Sequence, residues 1–277
     1  MNARVLAHSG RGRARRAANG SAAEGAARAG LTARGVIYLL VGVLALRIAF
    51  GTGNRQADRG GALAELAEKP FGAVLLWALG AGLVGMALWR LSEAVFGVTG
   101  KDGHTARKRL PAAARCVFYA VVAYSVLAFA AGSSGSGSSD RQSRDVTAEV
   151  MEMPAGRWIV GVAGAAIAVA GVVIAVQALR RSYREKMKLG ALSPRARRLV
   201  DVTGVGGGAA RGLVFAAAGV FAVRAAVDHE PDRAKGLDDT LRSFADTPLG
   251  PWLLVCVAAG LVLFGVFSFA LARRRRV

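Results

Sequence analysis

Two arginines at equivalent positions are the side chains in this sequence whose type and spacing could do chemistry. Arg47 lies thirteen residues after Arg34, and Arg224 lies thirteen residues after Arg211, each near the end of an apolar segment. A guanidinium donates paired hydrogen bonds to carboxylate or phosphate, so the two residues predict an anion or lipid contact. Long side chains near helix ends also reach lipid headgroups, which is the interpretation that the sequence favours; an anion-binding vestibule is the alternative.

A third candidate for an anion or lipid contact is Arg90. It follows Trp89 at the end of another apolar segment, where tryptophan commonly marks the membrane–water interface. Glu93 lies three residues further on, a spacing at which two side chains meet on a helix. We therefore expect Arg90 and Glu93 to pair, and anchoring of the helix end is favoured over ligand binding.

Residues for catalysis or metal binding are missing from the apolar segments. The three histidines, His8, His104 and His229, fall in a tail or in loops, so neither a metal-ligand set nor a Ser/His/Asp set can be assembled. Cys116 and Cys256 are predicted to lie at different depths and to remain free thiols. No carboxylate lies near the middle of an apolar segment, which disfavours ion-coupled transport. We expect no enzyme, no metal and no cofactor.

Six apolar segments must position these side chains. Their lengths fit membrane-spanning helices, because a bilayer core about 30 Å thick requires roughly 20 mostly apolar residues. They lie at about residues 35–51, 71–92, 114–132, 156–179, 210–227 and 250–272, and the glycine-rich run from Gly204 to Gly208 is expected as a loose lead-in to the fifth. The net charge of +19 would suggest nucleic acid in a soluble protein. Here the basic residues flank apolar segments, so no nucleic-acid partner is expected.

One unit of two apolar segments occurs three times. The predicted repeats cover residues 31–97, 112–181 and 208–273, and the two halves of each align on an arginine and on a proline. The shared positions are Arg34, Gly35, Tyr38, Gly42, Pro70 and Gly72 in the first repeat, Arg115, Tyr119, Pro154 and Gly156 in the second, and Arg211, Gly212, Pro248 and Gly250 in the third.

The repeats predict an all-α integral membrane protein with six transmembrane helices arranged as three helical hairpins. A unit that crosses the membrane twice returns to its starting side, so the three hairpins share one orientation. We therefore predict pseudo-threefold symmetry about the membrane normal, with a linear row as the alternative. Before each proline, apolar residues recur at helical spacing in residues 62–69, 145–153 and 237–247. This pattern predicts short amphipathic helices on the external surface.

Lysine and arginine set the expected orientation. Of the 37 basic residues, 26 lie in four segments on one side of the apolar spans, which run through Arg34, from Arg90 to Arg115, from Arg180 to Arg211 and from Arg273 to Arg276. The three loops on the other side, within the repeats, hold nine. Because cytoplasmic loops carry the basic excess, both termini are predicted in the cytoplasm. Residues 1–30 are predicted to form a disordered basic cytoplasmic tail, and residues 274–277 a second basic tail. Anionic lipids at this face are the expected partners, although orientation of the first helix is the favoured role of the longer tail.

The first repeat resembles a known family. The stretches that carry the resemblance are Arg34-Gly35-Val36-Ile37-Tyr38-Leu39-Leu40-Val41-Gly42, Pro70-Phe71-Gly72 and Leu88-Trp89-Arg90-Leu91-Ser92-Glu93-Ala94, and they are similar to domain-of-unknown-function family 1206. The resemblance covers about residues 30–275 and implies a bacterial plasma-membrane protein with a two-helix unit repeated three times. The second repeat departs from the pattern, with Cys116 in place of glycine and Ala128 in place of arginine. The resemblance implies no catalytic residue, because the family has no assigned activity.

The leading interpretation is a multi-pass protein of the bacterial plasma membrane that is not an enzyme and binds lipids or other membrane proteins. Helix faces of small residues, and loops without chemistry, favour it. The alternative is a passive channel or anion pore on the repeat axis, with Arg47 and Arg224 near its outer mouth. A packed centre would exclude the pore, whereas a continuous hydrated passage reaching both arginines would support it.

Overall fold

Six long helices dominate the structure. The computed structural model describes residues 21–52, 55–97, 106–132, 139–187, 193–248 and 250–274, and the regular elements in these ranges are helices. Each long helix contains a stretch long and apolar enough to cross a membrane, which confirms the all-α integral membrane fold. The six are α1 (Ser21–Ala49), α3 (Gly72–Phe96), α4 (Ala106–Ala130), α6 (Gly156–Leu179), α7 (Pro194–Asp228) and α9 (Gly250–Arg274).

A short helix precedes the second spanning helix of each repeat, as predicted. The three are α2 (Arg59–Ala67), α5 (Ser139–Glu152) and α8 (Leu237–Ala245). They lie at one end of the bundle, which we call the short-helix face; the opposite end is the terminal face. Phe71 and Ala155, each directly after a proline, adopt left-handed backbone conformations with φ of 63° and 61°. This conformation turns the chain from the short helix into the spanning helix.

The predicted disordered tail is wrong for residues 21–30. Helix α1 begins at Ser21, and both Ala27 and Leu31 are fully buried. Gly30 of α1 lies against Met86 of α3, so tertiary packing extends this helix beyond its apolar segment. Residues 1–20 and 275–277, the rest of the two predicted tails, lie outside the described residues.

The glycine-rich lead-in to the fifth span is also wrong. Helix α7 begins at Pro194, where the Ser193 side chain accepts a hydrogen bond from Ala196 N–H at 3.3 Å, and it continues through the glycine-rich run from Gly204 to Gly208. Gly207 lies against the backbone of Phe264 in α9, and Gly208 lies against Ala178 in α6. The glycines let three helices approach closely, and this packing offsets their low helix propensity.

The spanning helices form a ring with the pseudo-threefold arrangement that the repeats predict. α3 packs on α1 and α4, α7 packs on α6 and α9, and α9 packs on α1, so the six helices surround one central cavity. Small residues make these contacts: Gly171 of α6 faces Gly212 of α7, and Gly35 of α1 faces Gly265 of α9. Such close approach is the usual basis of helix association in lipid.

One seam interrupts the ring. Along the part of the chain that the structure describes, α4 and α6, the two spanning helices of the second repeat, do not pack side by side. Phe118 of α4 and Ile167 of α6 face this seam and are 51% and 41% exposed. The interior of the bundle is therefore open sideways, toward the bilayer, at one place.

Tryptophans mark one membrane boundary. Trp77, Trp158 and Trp252 lie within five residues of the start of the second spanning helix of their repeats, and all three are exposed. Amphipathic rings at equal depth around a bundle form the aromatic belt of a membrane interface. The belt places the short-helix face at the edge of the bilayer.

Candidate functional site: a central cavity with two arginines

A cavity of about 430 Å³ lies on the axis of the ring. Every spanning helix contributes to its wall, and most of the wall is apolar. One apolar wall residue from each helix is Ile37, Leu83, Val122, Ile167, Val214 and Leu261. An apolar pocket with a few convergent polar groups is the usual form of a ligand site.

Two arginines meet at the inner end of the cavity. The guanidinium of Arg34 lies 5.1 Å from the centre of the Phe264 ring, and that of Arg211 lies 5.0 Å from the same centre. The Nε–H of Arg34 donates to the Ser268 hydroxyl at 3.2 Å, and the Nε–H of Arg211 donates to the Tyr38 hydroxyl at 3.0 Å. These contacts fix both charges against one aromatic ring.

Neither arginine has an acidic partner among the described residues. The charged and ionisable groups that act on Arg34 are Tyr38, Tyr119 and Arg211, and those that act on Arg211 are the same two tyrosines. Arg34 is 9% exposed, and its buried Nη2 has no partner with hydrogen-bond geometry in the described structure. A buried cation without a counter-charge is costly, so an anion in the cavity would be stabilised here.

The opposite end of the cavity is polar and basic as well. At the short-helix face the wall includes Arg59 and Lys235. Arg59 donates to Gln142 at 3.4 Å, and burial lowers the pKa of the Arg59 guanidinium. The Lys235 ammonium lies 4.4 Å from the centre of the Phe221 ring. The cavity wall therefore runs from one pair of cations to another through an apolar middle.

The cavity ends blindly toward the terminal face. Beyond Arg34 and Phe264, buried side chains fill the interior, among them Leu31, Met86 and Phe267. This packed layer joins α1, α3, α7 and α9 in one hydrophobic cluster. Among the described residues, the cavity is therefore closed by a packed floor toward the terminal face.

Three buried aspartates connect the repeats at the cavity mouth. Asp58 precedes α2, and Asp140 and Asp238 lie in the first turns of α5 and α8; each is at most 5% exposed. Asp58 accepts from Ser139 N–H at 2.6 Å, Asp140 from Asp239 N–H at 3.1 Å, and Asp238 from Ala57 N–H at 2.7 Å. Each carboxylate thus caps the short-helix region of the next repeat, and the cycle closes.

The same cluster could be taken for a metal site. Ligand oxygens of Asp140, Asp238 and Asp239 lie within 4.8 Å of one another. Their oxygens are nevertheless engaged: Arg144 binds Asp239, and the Arg242 Nε–H donates to Asp238 at 2.8 Å. Burial, with the neighbouring carboxylates, raises the pKa of Asp140 to about 6. The arrangement serves as a junction between repeats.

The structure places the three predicted contact arginines away from this cavity. Arg47 lies 3.5 Å from Glu65 at the short-helix face, and Arg224 is exposed on α7. Arg90 pairs with Glu93 at 2.5 Å, as expected from their spacing, and its guanidinium lies 4.2 Å from the Trp89 ring centre. Neither Arg47 nor Arg224 is among the residues that line the central cavity, so this cavity is not the vestibule considered as the alternative for them; their contact with lipid headgroups stays a prediction.

The cavity site uses residues that the repeat signature contains. Arg34, Tyr38, Tyr119 and Arg211 line it, whereas Arg115 is exposed and faces Arg90 and Glu93. Gly35 and Gly212 lie at helix contacts, Gly42 faces Val262, and Gly72 and Gly156 fit closely against carbonyl oxygens of the preceding short helices. Gly250 has φ of 45° and follows Pro248 in the equivalent turn.

Sequence reasoning missed the cavity arginines as a site. The available signal was their spacing: Arg34 and Tyr38, Arg115 and Tyr119, and Arg211 and Phe215 are each four residues apart. Residues four apart share one helix face, and the spacing marks an inward-facing arginine at Arg34 and Arg211 but not at Arg115, which is exposed. Phe264 and Ser268, which complete the site, come from a distant helix.

Comparisons with known proteins agree with the repeat architecture. A family model described as Domain of Unknown Function (DUF1206) matches residues 29–97, 110–181 and 206–275. A protein of Bacillus subtilis (strain 168) described as "Uncharacterized protein YxxB" is 30% identical over 243 residues, which is 87% of each chain. No solved structure matches the chain.

Proposed function

The chain belongs to the DUF1206 family, and from that premise we propose that it is a non-enzymatic membrane protein that binds a lipid in its central cavity. The observation that carries the proposal is the combination of an apolar cavity of about 430 Å³ with the lateral seam between α4 and α6. A lipid chain reaches such a cavity from the bilayer without passing through water. The apolar wall stabilises it by roughly 25 cal/mol for each Å² removed from water.

The proposed location is the bacterial plasma membrane, with both termini in the cytoplasm. The excess of lysine and arginine in the segments at the terminal face supports this orientation. At that face Arg181, Arg197 and Arg198 line a broad groove beside the start of α7. We expect anionic headgroups to contact these arginines, and other membrane proteins to be a second class of partner.

Native mass spectrometry of the gently extracted protein tests the cavity. We expect lipid to remain bound at fixed stoichiometry. Val122→Trp fills the cavity, because Val122 lines it and is 7% exposed, and should reduce bound lipid several-fold. The matched control is Val121→Trp on the neighbouring face of α4, where Val121 is 52% exposed. Equal lipid retention by both variants, each folded, would contradict the proposal.

A passive anion pore on the same axis is the alternative, favoured by the basic residues at both ends of the cavity. The packed layer around Leu31, Met86 and Phe267 opposes it. Chloride flux into liposomes distinguishes the two. Flux above that of empty liposomes, abolished by Val122→Trp and unchanged by Val121→Trp, would support the pore over the pocket.

A further inference from the structure

We propose that Arg34 and Arg211 form a recognition site for a single anionic group, such as a phosphate, carried by the molecule in the cavity. This inference rests on the proposed lipid-binding function and specifies its ligand class: an amphiphile with an anionic headgroup. The two arginines come from the first and third repeats, at equivalent positions of the repeat unit.

The two positive charges lie close to the same aromatic ring, that of Phe264. Both guanidinium groups lie about 5 Å from the centre of the Phe264 ring, and both side chains line the cavity. The Nε–H groups are held by Ser268 and Tyr38, at 3.2 and 3.0 Å. The Tyr119 hydroxyl also acts on the Arg34 guanidinium, but the buried Arg34 Nη2 has no partner with hydrogen-bond geometry among the described residues.

Charge balance points to an anion. Two like charges beside one ring repel each other, and the low-dielectric interior strengthens the repulsion. No described carboxylate acts on either arginine, whereas Arg90 and Arg184 each pair with an acid. A phosphate oxygen pair accepts hydrogen bonds from two guanidinium groups in a geometry that a zwitterionic headgroup satisfies less well, because its own cation is repelled.

The rest of the cavity favours an amphiphile over a free anion. Above the arginines the wall is apolar, with Ile37, Val214 and Leu261 facing the space. Phe264 lies fourteen residues after Gly250, so the charged site is about 21 Å along α9 from its start. A small anion would leave this apolar length empty, whereas an acyl chain fills it and extends toward the seam beside Phe118.

The test measures binding of three probes to the full chain in neutral detergent. The probes are phosphatidylglycerol, phosphatidylcholine and inorganic phosphate, compared by native mass spectrometry and by the shift in thermal unfolding midpoint. We expect wild type to bind phosphatidylglycerol at least tenfold better than phosphatidylcholine. Arg34→Gln and Arg211→Gln should remove this preference, whereas the control variants Arg47→Gln and Arg224→Gln should keep it.

The thermal unfolding midpoint of each variant shows whether a loss of lipid preference is caused by misfolding. Because Arg34 is buried and uncompensated, Arg34→Gln should unfold at a higher temperature than lipid-free wild type, and phosphatidylglycerol should no longer raise its midpoint. A purely structural role for Arg34 predicts the reverse, a lower midpoint.

The outcomes separate the two proposals. Equal binding of both lipids by wild type, or a preference that survives both glutamine variants, would overturn the anion site while leaving lipid binding intact. Binding of neither lipid would overturn the proposed function as well. A third outcome is saturable binding of inorganic phosphate that Arg34→Gln abolishes, without binding of either lipid. This outcome would show that the anion is free phosphate and not a lipid headgroup.

Discussion

The carboxylate of Asp238 accepts a hydrogen bond from the backbone N–H of Ala57 at 2.7 Å, and this contact joins the third repeat to the first. With Asp58 on Ser139 and Asp140 on Asp239, it completes a cycle in which every repeat is capped by the one before it. The cycle lies around the mouth of the cavity, where Ser139 and Leu237 are wall residues. The same hydrogen bonds therefore hold the three repeats together and shape the mouth of the cavity.

Removal of one member of the cycle should destabilise the whole bundle. Asp58 is fully buried and accepts from two backbone N–H groups, Ser139 and Gly61 at 2.6 and 2.8 Å. Asp58→Ala leaves both N–H donors without an acceptor. We therefore expect the free energy of unfolding to fall by about 1–3 kcal/mol for each buried unpaired donor. Denaturant titration in micelles measures it.

The control for Asp58 is Glu68→Ala at the same face. The Glu68 side chain is 63% exposed and pairs with Arg55, and an exposed pair contributes about 0–1 kcal/mol. Asp58→Asn, which keeps one acceptor oxygen, should fall between the two. Equal unfolding free energies for wild type and Asp58→Ala would contradict the structural role of the cycle.

Stability should depend on pH through Asp140. Its folded-state pKa of about 6 lies above the ordinary value of 3.8, so the folded protein holds the proton more tightly than the unfolded chain. This contribution to stability is complete below about pH 4 and is lost as the pH rises through 6. Asp140→Asn keeps the acceptor for Asp239 N–H and removes the titration. We expect it to be more stable than wild type at pH 7.5, with a smaller difference at pH 5.

Thermal unfolding midpoints of the two proteins at both pH values test this prediction. The groups that face Asp140 are Asp58, Asp238 and Asp239, with Arg144 beyond Asp239. A difference between Asp140→Asn and wild type that is the same at pH 5 and pH 7.5 would show that Asp140 does not titrate in this range.

The interface between α6 and α7 should be sensitive to one methyl group. Gly171 has no space for a Cβ, because the backbones of Gly212 and Ala216 lie against it. Gly161, on the same helix, has open space, with the nearest side chain at 3.6 Å from a Cβ. Both changes to alanine gain the same helix propensity, about 1 kcal/mol. We expect Gly171→Ala to lower the unfolding midpoint and Gly161→Ala to leave it unchanged or higher.

That comparison fails if Gly171→Ala is as stable as Gly161→Ala. The two helices would then be less closely packed at Gly171 than the structure shows.

The spans and the repeat were predictable from the sequence, whereas the cavity was not. Hydrophobic length and spaced Arg, Pro and Gly positions are local signals, and they gave the six helices and three short helices. Arg34 and Arg211 resembled the basic flanks common at helix ends, because the sequence does not show that α1 and α7 continue beyond them. Phe264, whose ring contacts both guanidinium groups, is more than fifty residues from either arginine.

The aspartate cycle escaped prediction for a related reason. The amphipathic pattern marked short helices from residues 62 and 145, so Asp58 and Asp140 fell before the predicted starts. The structure begins α2 at Arg59 and α5 at Ser139. The first turns of these helices are polar, so apolar periodicity does not reveal them. The hydrogen-bond partners of Asp58 and Asp140 lie in other repeats, where sequence spacing does not indicate a contact.

Orientation in the membrane has its own test. With Cys116 and Cys256 replaced by alanine, a cysteine introduced as Glu68→Cys lies at the short-helix face, and Arg180→Cys lies at the terminal face, both exposed. We expect a membrane-impermeant maleimide to label position 68 in intact cells and position 180 only after permeabilisation. The opposite pattern would place both termini outside.

A structure of the protein determined in native membrane lipid would show most directly whether the cavity holds an anionic lipid. We expect elongated density that enters between Phe118 and Ile167, follows the apolar wall and ends in a compact group beside Arg34 and Arg211. A cavity that is closed by its own side chains, or that holds only water along a passage open at both faces, would contradict this expectation.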